Sequence, residues 1–288
     1  MPQKGLSPSE VSRFRERGYL IVPDVLDSGQ LSRVNSAVEQ IIAEESPLGD
    51  RATRLEWEPE QAGEQRVARR IYNPVHQHPE FERVALCDAV LDRVESVYGP
   101  NLQFHHGKLN LKGARVGSVV EWHQDFAYFP HTNPDLLACL IYLDDANEEN
   151  GCLQVIPGSH AGRPFDHSLN GAFAGKITEA GWRQGLPEPV KCEGRAGTMI
   201  MMHCMTPHAS LPNRSGRPRP TLILEYRAAD AYPIYYHEQT HRSEQFTRQV
   251  RGQRISTARV TLTSFPMPQL QGDHSSLYDL QSRSPRNI

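Results

Sequence analysis

The segment Glu121-Trp-His-Gln-Asp-Phe-Ala-Tyr-Phe-Pro130 places a histidine, His123, two positions before an aspartate, Asp125. In an extended strand, residues i and i+2 project from the same face, so this imidazole and this carboxylate would lie side by side. Such a pair supplies two of the three ligands in the 2-His-1-carboxylate arrangement that is typical of non-haem Fe(II) oxygenases. The alternative is a strand-edge histidine that hydrogen-bonds to a neighbouring carboxylate, and the pair alone does not separate the two interpretations.

The sequence around this segment predicts a core built of strands. After residue 100, short apolar runs and period-two alternation recur between glycine, proline and asparagine residues. Helical patterns come before this region, so the chain is predicted to be mainly β, a sandwich or barrel with flanking helices. The candidate strands are residues 102–111, 119–125, 136–143, 152–156, 198–203 and 220–228.

The first hundred residues carry clear helix signals. Ser7 and Glu10 form a capping box that opens a helix over residues 8–17, and Gly18 is a natural stop. Residues 19–22 form an apolar run that predicts a strand. Amphipathic patterns predict two more helices, one from about residue 27 and one over residues 81–98, whereas the charged stretch 46–65 is predicted to be a loop.

No repeat or convincing linker divides the chain, so residues 1–288 are predicted to be one domain. Its parts are a helical N-terminal part (1–100), a β core (101–230) and a C-terminal extension (231–288), whose last dozen residues are expected to be loosely held. The long glycine-rich stretch 158–194 interrupts the core and is either a functional lid or poorly ordered; as a lid, it is expected to decide the choice of substrate.

Composition excludes several classes of protein. With 31 Lys+Arg against 34 Asp+Glu, the formal charge of −3 gives no basic field for nucleic acid or an anionic membrane. No apolar run approaches the ~20 residues of a membrane helix, and the N-terminus lacks the apolar region of a signal peptide. The five cysteines are odd in number and contain no Cys-x-x-Cys pair. Free thiols in a reducing cytoplasm are therefore expected.

A third metal ligand and an anion-binding arginine are available downstream. The apolar run that begins at residue 197 offers two candidate histidines, His203 and His208. Arg219 follows His208 by eleven positions and opens the next predicted strand. If the two strands are neighbours, its guanidinium can grip the far carboxylate of an α-keto acid bound to the metal. Arg214 or Arg217 could do so instead.

Three separate motifs, in this order, resemble the phytanoyl-CoA hydroxylase family. They are His123-Gln-Asp-Phe-Ala-Tyr-Phe-Pro130, Asn150-Gly-Cys-Leu-Gln-Val-Ile-Pro-Gly-Ser-His160, and the spacing from His208-Ala-Ser to Arg219. The resemblance covers residues 100–228 well and the N-terminal part more loosely. It implies a double-stranded β-helix (jelly-roll, cupin-like) core, and Fe(II), 2-oxoglutarate and O2 as cofactor and cosubstrates.

The same resemblance implies roles for individual residues. The metal ligands, through which catalysis occurs, fall on His123, Asp125 and His208, which leaves His203 outside the ligand set. The cosubstrate residues fall on Arg219 and Ser210 and, by similarity to one relative in the family, on Lys108 and Asn110, with Lys112 close by as an alternative basic residue. Phe126, Tyr128 and Phe129 follow the ligands and are either substrate-pocket residues or plain core.

The function implied is that of an Fe(II)- and 2-oxoglutarate-dependent dioxygenase. It would hydroxylate, or otherwise oxidise, an unactivated C–H bond of a small molecule of secondary metabolism or catabolism, with release of succinate and CO2. Halogenases of this type replace the carboxylate by a small residue, so the presence of Asp125 favours hydroxylation or another oxidative outcome. The alternatives are a zinc-dependent hydrolase and a non-catalytic, cupin-like protein that binds a small molecule.

Overall fold

The computed structural model of the chain describes residues 4–44, 55–58, 66–234, 243–267 and 277–282. Within these ranges the helices are α1 (Pro8–Arg17), α2 (Ser28–Glu44), α3 (Pro79–Leu86), α4 (Asp88–Tyr98) and α5 (Leu277–Ser282). The strands are β1 (Tyr19–Val22), β2 (Leu55–Trp57), β3 (Ala68–Tyr72), β4 (Leu102–Lys112), β5 (Val120–His123), β6 (Leu136–Tyr142), β7 (Leu153–Val155), β8 (Ser168–Leu169), β9 (Ala172–Phe173), β10 (Val190–Cys192), β11 (Met199–His203), β12 (His208–Ser210), β13 (Arg219–Ala228) and β14 (Arg248–Arg251).

Two antiparallel sheets form the core. The major sheet has the strand order β1-β11-β6-β13-β4-β3-β2, with β14 also paired to β4, and the minor sheet has the order β10-β7-β12-β5. Leu140 and Ile200 of the major sheet belong to the same buried cluster as Val155 and Cys192 of the minor sheet, so the two sheets pack face to face. This architecture confirms the predicted mainly β fold with flanking helices and a jelly-roll core.

Helices α1–α4 cover the outer face of the major sheet. Along β13, Leu222, Leu224 and Tyr226 belong to the large hydrophobic cluster that includes Phe81 of α3 and Leu91 of α4. The alternate residues of β13 point the other way, towards the minor sheet, because successive side chains of a strand project to opposite faces. The period-two alternation therefore divides β13 into a face that holds the helices and a face that is free to build a site.

The N-terminal helix forms as predicted. The backbone N–H of Glu10 donates to the Ser7 hydroxyl at 3.3 Å, and the Glu10 carboxylate accepts from the Ser7 backbone N–H at 2.8 Å. α1 ends at Gly18, whose φ of 76° lies in the left-handed region that glycine adopts without strain. The capping box and the stop signal thus fix both ends of α1.

The predicted single helix over residues 81–98 is wrong, because α3 and α4 are separate helices that break at Cys87. Cys87 has φ −73° and ψ 146°, which is an extended conformation. At about 100° per residue, one continuous helix would point the buried residues of α3 and those of α4 to opposite sides. The break turns both sets towards the major sheet; they are Phe81, Val84 and Ala85 in α3 and Val90, Leu91, Val94 and Val97 in α4.

Two regions that were predicted to be irregular contain regular structure. The stretch predicted as a loop over residues 46–65 contains β2, and β2 pairs with β3 at the edge of the major sheet; residues 46–54 and 59–65 lie outside the described residues. The prediction that the last dozen residues are loosely held is wrong for α5, where Tyr278, Leu280 and Gln281 are buried; the rest of that dozen is not described. None of the described helices is long and apolar enough to cross a membrane.

Candidate metal and cosubstrate site

His123, Asp125 and His208 form a buried cluster whose ligand atoms all lie within 4.8 Å of one another. His123 is the last residue of β5, His208 is the first residue of β12, and the two residues are directly opposed in the antiparallel ladder. Their Nε2 atoms lie 3.7 Å and 3.8 Å, respectively, from Oδ1 of Asp125. The structure thus brings together the three residues predicted to be metal ligands.

The backbone around Asp125 differs from the predicted strand. β5 ends at His123, and Asp125 begins a 3-10 turn, Asp125–Ala127. The carboxylate therefore reaches the two imidazoles because the chain turns after β5. The prediction of a strand that continues to residue 125 is wrong, whereas the proximity that it was used to infer is present.

Hydrogen bonds and burial prepare the three side chains to bind a cation. Nδ1–H of His123 donates to the Glu121 carbonyl at 2.8 Å, and Nδ1–H of His208 donates to the Thr206 carbonyl at 3.0 Å. These bonds leave each Nε2 lone pair directed towards the carboxylate, as in histidine ligands held by a backbone acceptor. Burial lowers the pKa of both imidazoles, and for His123 the neighbouring His208 lowers it further, so both are neutral at pH 7.

Asp125 stays ionised although it is buried. Burial alone would raise its pKa, but its neighbours, above all the charge of Lys108, outweigh burial and lower it. Two neutral imidazoles and one carboxylate are the donor set that non-haem Fe(II) takes on one face of its coordination sphere. The residues present therefore fit this metal.

Arg219 and Ser210 line the same cavity as the three candidate ligands. Arg219 is the first residue of β13, is 5% exposed, and donates from Nη1 to the Thr221 hydroxyl. Its Nε has no hydrogen-bond partner, so a buried guanidinium faces the cavity with unused donors. The two other candidate arginines, Arg214 and Arg217, are exposed.

Lys108 and Asn110 also line this cavity, as their alternation along β4 predicts. Nζ of Lys108 lies 3.9 Å from Oδ1 of Asp125 and 3.4 Å from Oε1 of Glu225. Burial, followed by the charge of Asp125, raises the pKa of Glu225 to about 7. Lys112 does not line the cavity. Its ammonium group donates to the backbone carbonyls of Ser118 and Ser210.

The three aromatic residues after the ligands lie in hydrophobic clusters instead of lining the cavity. Phe126 is fully buried and packs edge to face on Phe265, with ring centroids 5.2 Å apart. The Tyr128 hydroxyl donates to the Gly175 carbonyl at 2.5 Å. The Phe129 ring packs on those of His105 and His106. All three side chains are buried in hydrophobic clusters, and the Tyr128 ring lies 5.7 Å from that of His123. Their role as substrate-pocket residues stays a prediction.

The stretch predicted to be a lid packs against the minor sheet and the segment that carries the candidate ligands. Trp182 packs against Trp122, with ring centroids 5.8 Å apart, and Nε2 of His167 accepts from the backbone N–H of Gln124 at 3.0 Å. None of residues 158–194 lines the cavity itself. Their role in choosing the substrate stays a prediction.

His203 lies away from the cavity, beside His160, with ring centroids 5.2 Å apart.

Among the cavity residues that sequence reasoning did not single out are Arg70 of β3 and Leu277 of α5. No pattern in the sequence distinguishes Arg70 from its neighbour Arg69, whose guanidinium lies within 4 Å of the carboxylates of Glu56 and Glu58. Leu277 comes from a region with no strong periodicity. Only the long-range pairing of β3 with β4 and the docking of α5 bring these residues to the site.

A second group of ligand-type side chains, His105, His131 and Glu244, is already occupied by an arginine. Nη1 and Nη2 of Arg227 donate to the two carboxylate oxygens of Glu244 at 2.7 Å and 3.0 Å. Nη1 also lies 2.5 Å from Nε2 of His131. The guanidinium thus takes the place that a cation would need, and the group ties the segment around Glu244 to the barrel.

A buried 2-His-1-carboxylate cluster that shares a cavity with a buried arginine, between two antiparallel sheets, defines the class of non-haem iron dioxygenases. Residues 14–221 match the family described as Phytanoyl-CoA dioxygenase (PhyH), and the chain belongs to that family. It is 30% identical over 226 residues to a probable alpha-ketoglutarate-dependent hypophosphite dioxygenase of Stutzerimonas stutzeri, covering 77% of this chain and 78% of that protein.

Other relatives are of the same kind. The chain is 28% identical to the L-proline trans-4-hydroxylase of Streptomyces griseoviridis, over 77% of this chain and 87% of that protein. Among solved structures, it is similar to EctD from S. alaskensis with 2-oxoglutarate and 5-hydroxyectoine, with a TM-score of 0.63 and 25% identity over 80% of this chain and 78% of EctD. The carbocyclase SnoK from nogalamycin biosynthesis shares the fold, with a TM-score of 0.66 over 83% of this chain and 90% of SnoK.

These relationships show that the chain is an Fe(II)- and 2-oxoglutarate-dependent dioxygenase that uses O2 and acts on a small molecule. The predicted reaction class and cofactors are confirmed. The roles of the individual residues remain to be proposed from their geometry.

Proposed function

We propose that His123, Asp125 and His208 hold the Fe(II) ion, that Arg219 and Ser210 bind the distal carboxylate of 2-oxoglutarate, and that Lys108 and Asn110 assist them. The observation that carries this proposal is the convergence of two neutral Nε2 atoms and one carboxylate in the cavity that Arg219 enters with unused donors. When bound, the iron and 2-oxoglutarate supply the oxidising power that converts C–H and O2 into C–OH, with release of succinate and CO2.

The residues of the chain supply position and electrostatics. The backbone carbonyls of Glu121 and Thr206 fix the ring orientations of the two histidines, so the ligand geometry is preorganised before the metal binds. The buried guanidinium of Arg219 gains a carboxylate partner only when 2-oxoglutarate is present, which favours binding of the dicarboxylate over a monoacid. Burial of the site excludes water from the reacting groups.

The substrate proposed is a small polar molecule of catabolism or secondary metabolism. The relatives are named for hypophosphite, L-proline and ectoine, all of which are compact and polar. A cytoplasmic location is proposed with it, and the five free cysteines support a reducing compartment.

The test is an anaerobic titration of Fe(II) into metal-free protein with and without 2-oxoglutarate, followed by the visible charge-transfer band. A band that requires both components is expected. His123→Ala and Asp125→Ala should abolish the band and turnover, since each removes a ligand. Arg219→Ala should raise the 2-oxoglutarate concentration needed, whereas Arg217→Ala, two residues away and exposed, should not. Full activity of Asp125→Ala would contradict the assignment. A raised 2-oxoglutarate requirement in Arg217→Ala instead of Arg219→Ala would contradict it as well.

A further inference from the structure

The cavity contains one more guanidinium than 2-oxoglutarate requires. Arg70 lines it from β3, is 5% exposed, and donates from Nε to Oδ1 of Asn110 at 2.8 Å. Its guanidinium lies 5.0 Å from the ring centroid of Tyr278 and 5.7 Å from that of Tyr72. Within the described parts of the chain, no carboxylate lies within 4 Å of it.

The carboxylates nearest to β3 are already used by other groups. Glu56 pairs with Arg69 and accepts from the Tyr72 hydroxyl at 2.8 Å. Glu58 accepts from the backbone N–H of Ser118 at 3.0 Å and also faces Arg69. A buried charge is costly unless it is paired, so the guanidinium of Arg70 calls for an anion from outside the chain.

The cosubstrate does not supply this anion. The iron takes the keto acid end of 2-oxoglutarate and Arg219 takes the other carboxylate. Fe(II), ionised Asp125, dianionic 2-oxoglutarate and Arg219 together carry no net charge. The ammonium of Lys108 has the Glu225 carboxylate 3.4 Å away. Among the described residues, Arg70 is therefore the cavity cation that has neutral partners, Asn110 and Tyr72, but no carboxylate within 4 Å when metal and cosubstrate are both bound.

Arg70 also lies away from Arg219, the arginine proposed to bind 2-oxoglutarate. Arg70 is paired with Asn110 on β4, and Asn110 is paired with Thr221 on β13. These three residues therefore lie side by side on three neighbouring strands. Two strand spacings separate β3 from β13, which is about 10 Å. The hydroxyl of Thr221 accepts from Arg219, so the two guanidiniums lie on opposite sides of Asn110 and can bind different anions.

We infer that Arg70 binds an acid group of the substrate, and that the substrate is a small molecule bearing a carboxylate or a phosphorus oxyanion. This inference rests on the proposed function. Leu277 and Tyr278 of α5 border the same side of the cavity, so the acid group would lie between β3 and α5.

The experiment uses the anaerobic Fe(II)–2-oxoglutarate complex of the full chain, whose visible band shifts when a substrate binds next to the metal. The probes are L-proline and ectoine as carboxylates, hypophosphite as a phosphorus oxyanion, and L-prolinamide as a match for proline without the acid. At least one acid is expected to shift the band saturably, and prolinamide is not. In Arg70→Gln the apparent Kd of that acid should rise about ten- to hundredfold, with 2-oxoglutarate binding unchanged.

Two controls keep this test decisive. Arg70→Lys keeps the positive charge but loses the bidentate hydrogen-bonding geometry of the guanidinium. It should therefore raise the Kd of the acid less than Arg70→Gln does. Arg66→Gln removes an exposed arginine four positions away, which does not line the cavity, and should change the Kd less than about threefold. A band that still forms with 2-oxoglutarate shows that each variant is folded.

Several results would overturn the inference. If Arg70→Gln weakens the binding of 2-oxoglutarate as strongly as Arg219→Ala does, Arg70 belongs to the cosubstrate site. If none of the three acids shifts the band of the wild-type complex, or if prolinamide shifts it as well as proline does, the acid-bearing substrate class is wrong. Failure of the wild-type protein to form any band would refute the proposed function itself, which is a separate outcome.

Discussion

The side chain of Lys112 is 2% exposed, and its ammonium group donates to the backbone carbonyls of Ser118 at 2.7 Å, Ser210 at 3.4 Å, and Leu211. Burial, followed by the charge of Arg219, lowers the pKa of Lys112 well below its usual value. The group therefore holds the end of β12, where the proposed cosubstrate ligand Ser210 lies, without reaching the cavity. It is a positioning residue for the cosubstrate.

Replacement of Lys112 by methionine tests this role, because methionine keeps an unbranched apolar side chain but cannot donate to the three carbonyls. The free energy of unfolding should fall by about 2–4 kcal/mol, since buried acceptors lose their partner. The KM for 2-oxoglutarate should rise about tenfold, the lower end of what outer-shell partners contribute, with kcat changed less. Steady-state kinetics and urea unfolding measure both.

Lys191→Met, at the exposed position of β10, is the matched control and should change neither quantity measurably. A variant of Lys112 that loses stability but keeps the wild-type KM would show that the lysine supports the fold alone.

At the scale of elements, α5 shows what periodicity in the sequence cannot predict. A helix of six residues is not stable by itself, and its order comes from the contacts it makes. Gln281 accepts from the backbone N–H of Glu121 at 2.9 Å and donates to the Gly175 carbonyl at 2.7 Å. Since Glu121 precedes His123 on β5, α5 is tied to the strand that carries a candidate metal ligand.

Gln281→Leu removes both of these buried hydrogen bonds at nearly constant volume. The free energy of unfolding should fall by about 1–3 kcal/mol, because the buried N–H of Glu121 loses its partner, whereas the Gly175 carbonyl keeps the Tyr128 hydroxyl. Fe(II) affinity, measured by anaerobic titration, should fall about tenfold, because β5 loses its hydrogen bond to α5. Gln184→Leu, at an exposed position in the stretch 158–194, should leave the metal affinity unchanged. Equal Fe(II) affinity in Gln281→Leu and the wild type would separate α5 from the metal site.

Strand β3 illustrates a second limit of the sequence. Ala68-Arg-Arg-Ile-Tyr72 places two arginines side by side, and only the pairing with β4 determines that Arg70, and not Arg69, lines the cavity. The strands β4 and β13 were predictable because short apolar runs and partly alternating apolar residues recur along their eleven and ten positions. Such local patterns predict strands that face a core, but they cannot show which charged residue of a strand near the edge of the sheet will be buried.

For the whole molecule, the fold class and the candidate ligands were predictable for different physical reasons. The fold class followed from helices that precede many short strands. The ligand set needed the resemblance, because His203 and His208 are equally plausible from spacing alone. What separates them is the pairing of β12 with β5, which opposes His208 to His123, while His203 pairs with Leu137 in the other sheet. Contacts between distant strands therefore decide what the local pattern leaves open.

His203 instead affects how the stability of the whole molecule depends on pH. Its Nδ1 accepts from the backbone N–H of Met205 at 3.1 Å. Burial, followed by the charge of His160, lowers its pKa from 6.5 to about 3. Between these two values the unfolded chain binds a proton that the folded chain does not, so His203 destabilises the fold as the pH falls below about 6.5.

The expected slope from this one residue is about 1.4 kcal/mol of unfolding free energy per pH unit between pH 6 and 4. His203→Asn keeps an acceptor close to the position of Nδ1 but cannot titrate. Urea unfolding at pH 7.5, 6.0, 5.0 and 4.5 should therefore show a shallower loss of stability in the variant, with the two proteins drawing together as the pH falls. Parallel curves for wild type and variant would mean that His203 takes up its proton in the folded state as readily as in the unfolded chain, and that the acid sensitivity arises from other buried histidines such as His105, whose pKa burial lowers to about 4.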